Sequence, residues 1–136
     1  MFDPWRVLAT LPHVELVWAP LRGRLGQSNG HDKIWLEPDQ YEVEQRCTLA
    51  HELVHMERGD KHACDPAVEK AVVEETARRL ISMPDLIVAW QWASSLHDVA
   101  DELHVTEDVL MDRLGVLTER EQARLADAVL RRGNPA

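Results

Sequence analysis

The stretch His51-Glu52-Leu53-Val54-His55, set within residues 41–60 (YEVEQRCTLAHELVHMERGD), decides how the rest of the chain is read. Residues four apart on a helix lie one above the other, so two imidazoles at this spacing can aim ring nitrogens at one metal ion. Glu52 is turned only about 100° from His51 on such a helix, and its carboxylate can reach a water held there. Two ligands and a base are the minimum equipment for zinc-assisted hydrolysis. A histidine pair also occurs on helices for structural reasons alone. The intervening Glu and the helical context weigh towards the metal.

That context is legible. Residues 41–50 contain no Gly or Pro and follow Pro38-Asp39, so a helix is predicted over 40–58, stopping at Gly59-Asp60. Leu49, Leu53 and Met56 make one apolar stripe, and Val43, Cys47, Ala50 and Val54 make another. The histidine face lies between them, where both flanks can bury it.

A chain of 136 residues suits one domain with a real core. We expect a single unit over 1–136, with a catalytic sheet-and-helix part over 1–83 and a helical part over 84–132. The net charge of −9 repels phosphate backbones and anionic lipid, so nucleic acid and membrane are poor expected partners. Cys47 and Cys64 are too few for a disulfide framework, and Cys47, one turn before His51, reads as packing. The first residues show no basic region leading into an apolar one, and no apolar run nears 18 residues. The expected compartment is the cytoplasm.

Residues 13–18 (HVELVW) and 33–36 (KIWL) read as short strands. Between them, residues 21–32 (LRGRLGQSNGHD) read as turns with room for one more strand. Residues 3–9 suit a short helix. From residue 40 onward helices dominate: 66–82 behind Asp65-Pro66, 85–94 after Pro84, then 96–103, 106–114 and 118–131. The expected fold is therefore α+β: a small N-terminal sheet of two or three strands on the motif helix, then a helical C-terminal half. Strand order is not written in the sequence.

A catalytic zinc takes three protein ligands and leaves a fourth position open. His62 is one candidate for the third. The run HELVHMERGDKH, however, carries its Gly and its last His one residue later than HExxHxxGxxH does, so His62 reads as a loop residue. Glu69, Glu74 and Glu75, on the following helix, are the others.

Three segments, 47–60 (CTLAHELVHMERGD), 68–84 (VEKAVVEETARRLISMP) and 98–117 (DVADELHVTEDVLMDRLGVL), resemble the ImmA/IrrE-type metallo-endopeptidases. The likeness spans roughly residues 34–117. It implies one zinc ion (Zn2+) per chain, with His51 and His55 as ligands and Glu52 as general base. Glu69, three residues before Val72, matches the third ligand, with Glu75 and then Glu74 as alternatives. It further implies a zinc endopeptidase whose substrate is a protein, typically a helix-turn-helix repressor, in a regulatory switch. The competing expectation is a non-hydrolytic zinc-containing regulator that acts by binding a protein.

Three more features need an assignment. Tyr41, His97 and His104 are candidate oxyanion donors, with nothing to choose between them. Residues 98–114 have the spacing of a helix-turn-helix, with Val99, Leu103, Val105, Leu110 and Leu114 as its core. Its second helix sets Glu107, Asp108 and Asp112 against Arg113, which suits a structural helix pair better than a DNA reader. Trp90 and Trp92, with Leu86, are expected in the core.

Overall fold

The computed structural model describes residues 1–60 and 65–133; His62 and Cys64 lie outside them. Among the described residues there are three strands and seven helices, an α+β arrangement. Helix α1 (Pro4–Ala9) opens on Asp3, whose carboxylate accepts from the N–H groups of Trp5 and Arg6.

Strands β1 (Glu15–Trp18), β2 (Gly26–Ser28) and β3 (Lys33–Leu36) form a sheet in the order β1-β3-β2. β3 pairs parallel with β1, Leu16 opposite Ile34, and antiparallel with β2, Gln27 opposite Trp35. The Asn29-Gly30 turn makes the β2–β3 hairpin. Asn29 Oδ1 accepts from the N–H groups of His31, Asp32 and Lys33. Gly30 has φ 70°, and a β-carbon there would collide with the Asp60 carbonyl, so position 30 needs glycine.

Helix α2 (Glu42–Arg58) starts with Glu44 accepting from the Tyr41 N–H at 3.0 Å and ends at Gly59 with φ 75°. Its two apolar stripes face two cores. Leu49 and Leu53 pack with Val14, Ile34 and Leu36 from the sheet side, with Met56 at the margin. Cys47 and Ala50 pack with Leu80, Ile81, Leu86, Leu103 and Leu110 from the helical half. Each fully buried Leu or Ile contributes about 1.5–3 kcal/mol. Helix α2 is thus a wall shared by both halves, and the faces between the stripes are fixed from both sides. Val43, in the exposed first turn, joins neither core.

Helix α3 (Pro66–Leu80) begins as expected, with Asp65 accepting from the Ala67 N–H and Pro66 at the first position. Helix α4 (Met83–Trp92) starts before Pro84 rather than after it, because Ser82 caps it and a proline is tolerated in a first turn. Its buried stripe runs through Met83, Leu86 and Ala89, with Trp90 and Ala93 packed alongside. Trp92 corrects the expectation of a core aromatic. It lies four residues after Val88 on the outer face of the helix and is 77% exposed.

Helices α5 (Leu96–Leu103) and α6 (Glu107–Gly115) join through His104, which is left-handed at φ 52°. Val99, Leu103, Val105 and Leu110 are buried between them and the rest of the helical half. Arg113 is also buried: its Nε donates to the Ile81 carbonyl at 2.7 Å and its guanidinium lies 3.6 Å from Glu121. Helix α7 (Glu119–Gly133) packs on α4. Among the described residues no helix is long and apolar enough to cross a membrane.

Candidate metal centre

Helices α2 and α3 lie against each other, and the first turn of α3 brings Glu69 over the histidine face. Glu69 Oε1 is 2.8 Å from His51 Nε2, and its Oε2 is 3.0 Å from His55 Nε2. The imidazole centres are 5.0 Å apart at 68°. One ligand atom from each of the three residues lies within 4.8 Å of the others, so the group could hold one metal ion. The chemistry of the donors fits a cation. Two neutral imidazole nitrogens and a carboxylate are all acceptors, and acceptors facing one another this closely need a proton or a metal between them.

Glu74 and Glu75 are not part of this group. Five and six residues beyond Glu69, they are turned about 140° and 120° away around α3. Glu75 accepts from Arg79 Nε at 2.9 Å, and Glu74 lies 4.0 Å from Lys70 and 3.9 Å from Arg78. His62 falls outside the described residues.

Burial sets the electrostatics. Removal from water holds the His51 imidazole below its usual range, with Glu69 opposing and His55 adding to the effect. That favours the neutral, metal-ready ring. Burial pushes the Glu52 carboxyl up to about 7; His55 and Arg24 pull the other way and Glu69 reinforces it. Glu52 is only 7% exposed yet lines a cleft of roughly 550 Å³ together with His51, His55 and Glu69.

The walls of that cleft are elements whose role the motif does not announce. One wall is β2 with the residues before it: Arg24, Gly26 and Ser28. A β-carbon on Gly26 would stand 2.5 Å from Thr48 Cγ2 and 3.0 Å from Glu52 Cγ, so β2 rests directly on α2. β2 is an outer strand. Glu37 donates to the Leu25 carbonyl and Asn29 to the Lys33 carbonyl, so residues 25, 27 and 29 turn their main chain towards β3. By the antiparallel alternation, Gly26 and Ser28 turn theirs away from β3, along the edge that no other described strand pairs. The start of α6 also lines the cleft, through Thr106, Asp108 and Val109. The helix pair that reads like a DNA-binding block therefore closes the cleft with the beginning of its second helix.

Asp60, missed in the sequence, joins the site from behind. Its carboxylate accepts from His55 Nδ1 at 3.0 Å and from Arg58 Nε at 2.9 Å. The available signal was the Gly59-Asp60 pair: a left-handed glycine after a helix turns the chain back on its last turn. None of the candidate oxyanion donors lines the cleft. Tyr41 is 83% exposed, His97 lies at the surface between Asp101 and Glu107, and His104 makes the α5–α6 turn. Among the described lining residues, Arg24 is the one Arg or Lys.

Comparison of the chain with protein-family models, with curated proteins and with solved structures finds no match.

Proposed function

We propose that the protein is a zinc-dependent endopeptidase of the ImmA/IrrE type, working in the cytoplasm on a protein substrate of the helix-turn-helix repressor kind. His51, His55 and Glu69 are its zinc ligands and Glu52 its general base. The observation that carries this reading is the convergence of Nε2, Nε2 and a carboxylate beside a buried Glu52 on the floor of an open cleft. A zinc ion there supplies a Lewis acid for the carbonyl under attack and lowers the pKa of water. Glu52, with its carboxyl near neutrality, is suited to take a proton and return it to the leaving amine. The outward N–H and C=O groups of Gly26 and Ser28 offer an extended substrate segment main-chain partners beside that carboxylate. Arg24 takes the charge-stabilising part for which Tyr41, His97 and His104 were candidates.

The charges of α6 weigh against direct binding of nucleic acid. The single basic residue of α6, Arg113, is spent on Ile81 and Glu121, leaving Glu107, Asp108 and Asp112 outward of the core.

A second reading, a non-hydrolytic zinc-containing regulator acting through protein binding, is favoured by one observation. No Tyr, and no His other than the two metal-site residues, lines the cleft among the described residues. Metal analysis of the purified chain, paired with cleavage of candidate repressors by wild type and Glu52→Gln, separates the two. One zinc per chain with cleavage lost in Glu52→Gln supports the peptidase. One zinc with no cleavage of any candidate supports the regulator, and no metal at all overturns both.

A further inference from the structure

The two histidines of the site are not held alike. His51, partly exposed, makes no hydrogen bond through Nδ1 to any described residue, whereas His55 is 3% exposed and its Nδ1 meets Asp60 Oδ2 at 3.0 Å. A carboxylate can only accept, so Nδ1 carries the proton and the lone pair of His55 is left on Nε2, the atom that faces Glu69. The arrangement is built into the backbone. Gly59 adopts φ 75°, and the N–H groups of Gly59 and Asp60 both return to the His55 carbonyl, folding residue 60 back beside the ring. Gly30 of the β2–β3 turn abuts the Asp60 carbonyl and leaves room for no side chain, which pins the loop from outside. Arg58 Nε donates to the same Oδ2 at 2.9 Å and holds that oxygen in place.

We propose that Asp60 is a positioning residue for the metal: it fixes the tautomer and ring orientation of His55, steadied by Arg58, and so strengthens zinc binding without touching the ion. This rests on the metal reading of His51, His55 and Glu69. Carboxylates behind a ligating histidine fix the ring and raise its basicity, and their loss costs roughly 10–100-fold in metal affinity or activity.

The test is zinc affinity, measured by competition with a chromophoric chelator on the full chain, for wild type, Asp60→Asn and Asp60→Ala. Thermal unfolding of the metal-free proteins runs alongside. Asp60→Ala is expected to bind zinc roughly 10–100-fold more weakly. Asp60→Asn is nearly isosteric; its amide oxygen still accepts from Nδ1–H but carries no charge, so it should fall between. The cobalt(II) absorption spectrum of both variants should shift, a change that a merely structural residue would not produce. Should both variants bind zinc within about twofold of wild type with unchanged cobalt spectra, the assignment of Asp60 is overturned even if metal-free stability drops. A wild-type chain that takes up no zinc would overturn the metal reading itself, and this proposal with it. If Asp60→Ala does not fold, the Asn variant decides.

Discussion

Gly26 of β2 packs directly against Glu52 of α2: a β-carbon at position 26 would lie 3.0 Å from Glu52 Cγ and 3.4 Å from its Oε1. The same carbon would be 2.5 Å from Thr48 Cγ2, closer than atoms tolerate. Glycine at 26 therefore sets how near the strand edge comes to the proposed base. Gly26→Ala must lift β2 from α2 or turn the Thr48 and Glu52 side chains aside. The expected cost is about 1–3 kcal/mol of stability, the range for overpacking. Turnover should fall by more than that loss explains while zinc stoichiometry holds. Thermal unfolding, zinc content and kcat on the same preparation check it. A variant with wild-type kcat would show that the close approach is not used.

The proposed third ligand can be separated from its neighbours on α3. Glu69→Ala removes the carboxylate that both imidazoles face, and zinc should be lost on dialysis. Glu74→Ala and Glu75→Ala disturb only partly exposed surface pairs with Lys70, Arg78 and Arg79, worth about 0–1 kcal/mol. Both should keep one zinc per chain. Retention of zinc by Glu69→Ala, with loss in either of the others, would reverse the assignment.

Most of the element pattern was legible because local chemistry writes it. Asp65-Pro66, Gly59 and Asn29-Gly30 each dictate a backbone conformation whatever surrounds them, and the structure has a helix start, a helix stop and a turn there. The parallel pairing of β1 with β3 was not legible, since it depends on which strand reaches the centre after a crossover. Trp92 shows the same limit in reverse. Hydrophobicity predicted a core position, but on a helix whose stripe is Met83, Leu86 and Ala89 it falls on the outer face. At the site, His51, Glu52 and His55 were readable from spacing within one helix. The contributions of Arg24 and Gly26, of Asp60 and of Thr106 come from three separate loop and strand-end segments, and only tertiary packing brings them to one cleft.

Zinc should act as a folding ligand. A metal that binds the folded site and not the open chain stabilises the fold by RT ln(1 + [L]/Kd), about 2.7 kcal/mol at a hundredfold excess over Kd. Removing metal with a chelator is expected to lower Tm reversibly, and re-adding zinc to restore it. The effect should vanish in His55→Ala. A chelator-insensitive Tm in the wild type would mean the three acceptors hold no ion.

The metal-free protein should carry a signature of Glu52 in its stability against pH. The folded carboxyl sits at about 7 because it is buried, against 4.5 for an exposed one. Between those values the folded state keeps a proton that the unfolded chain has released, so stability falls as pH rises through this window and levels off above it. At 1.36 kcal/mol per unit the full fall is at most about 3–4 kcal/mol. His51 works the other way: its folded pKa is held below the usual 6.5, so the fold loses stability as pH drops below that value. The two effects partly cancel in the wild type, and the comparison with Glu52→Gln isolates the first. Glutamine has no charge to bury. The variant should match the wild type near pH 5, where the carboxyl is protonated, and exceed it in unfolding free energy at pH 8. Urea unfolding of both metal-free proteins at pH 5, 6.5 and 8 reads this directly. A difference that stays constant across the three values would show that Glu52 titrates as an ordinary exposed carboxylate, and that burial does not prepare it to act as a base near neutral pH.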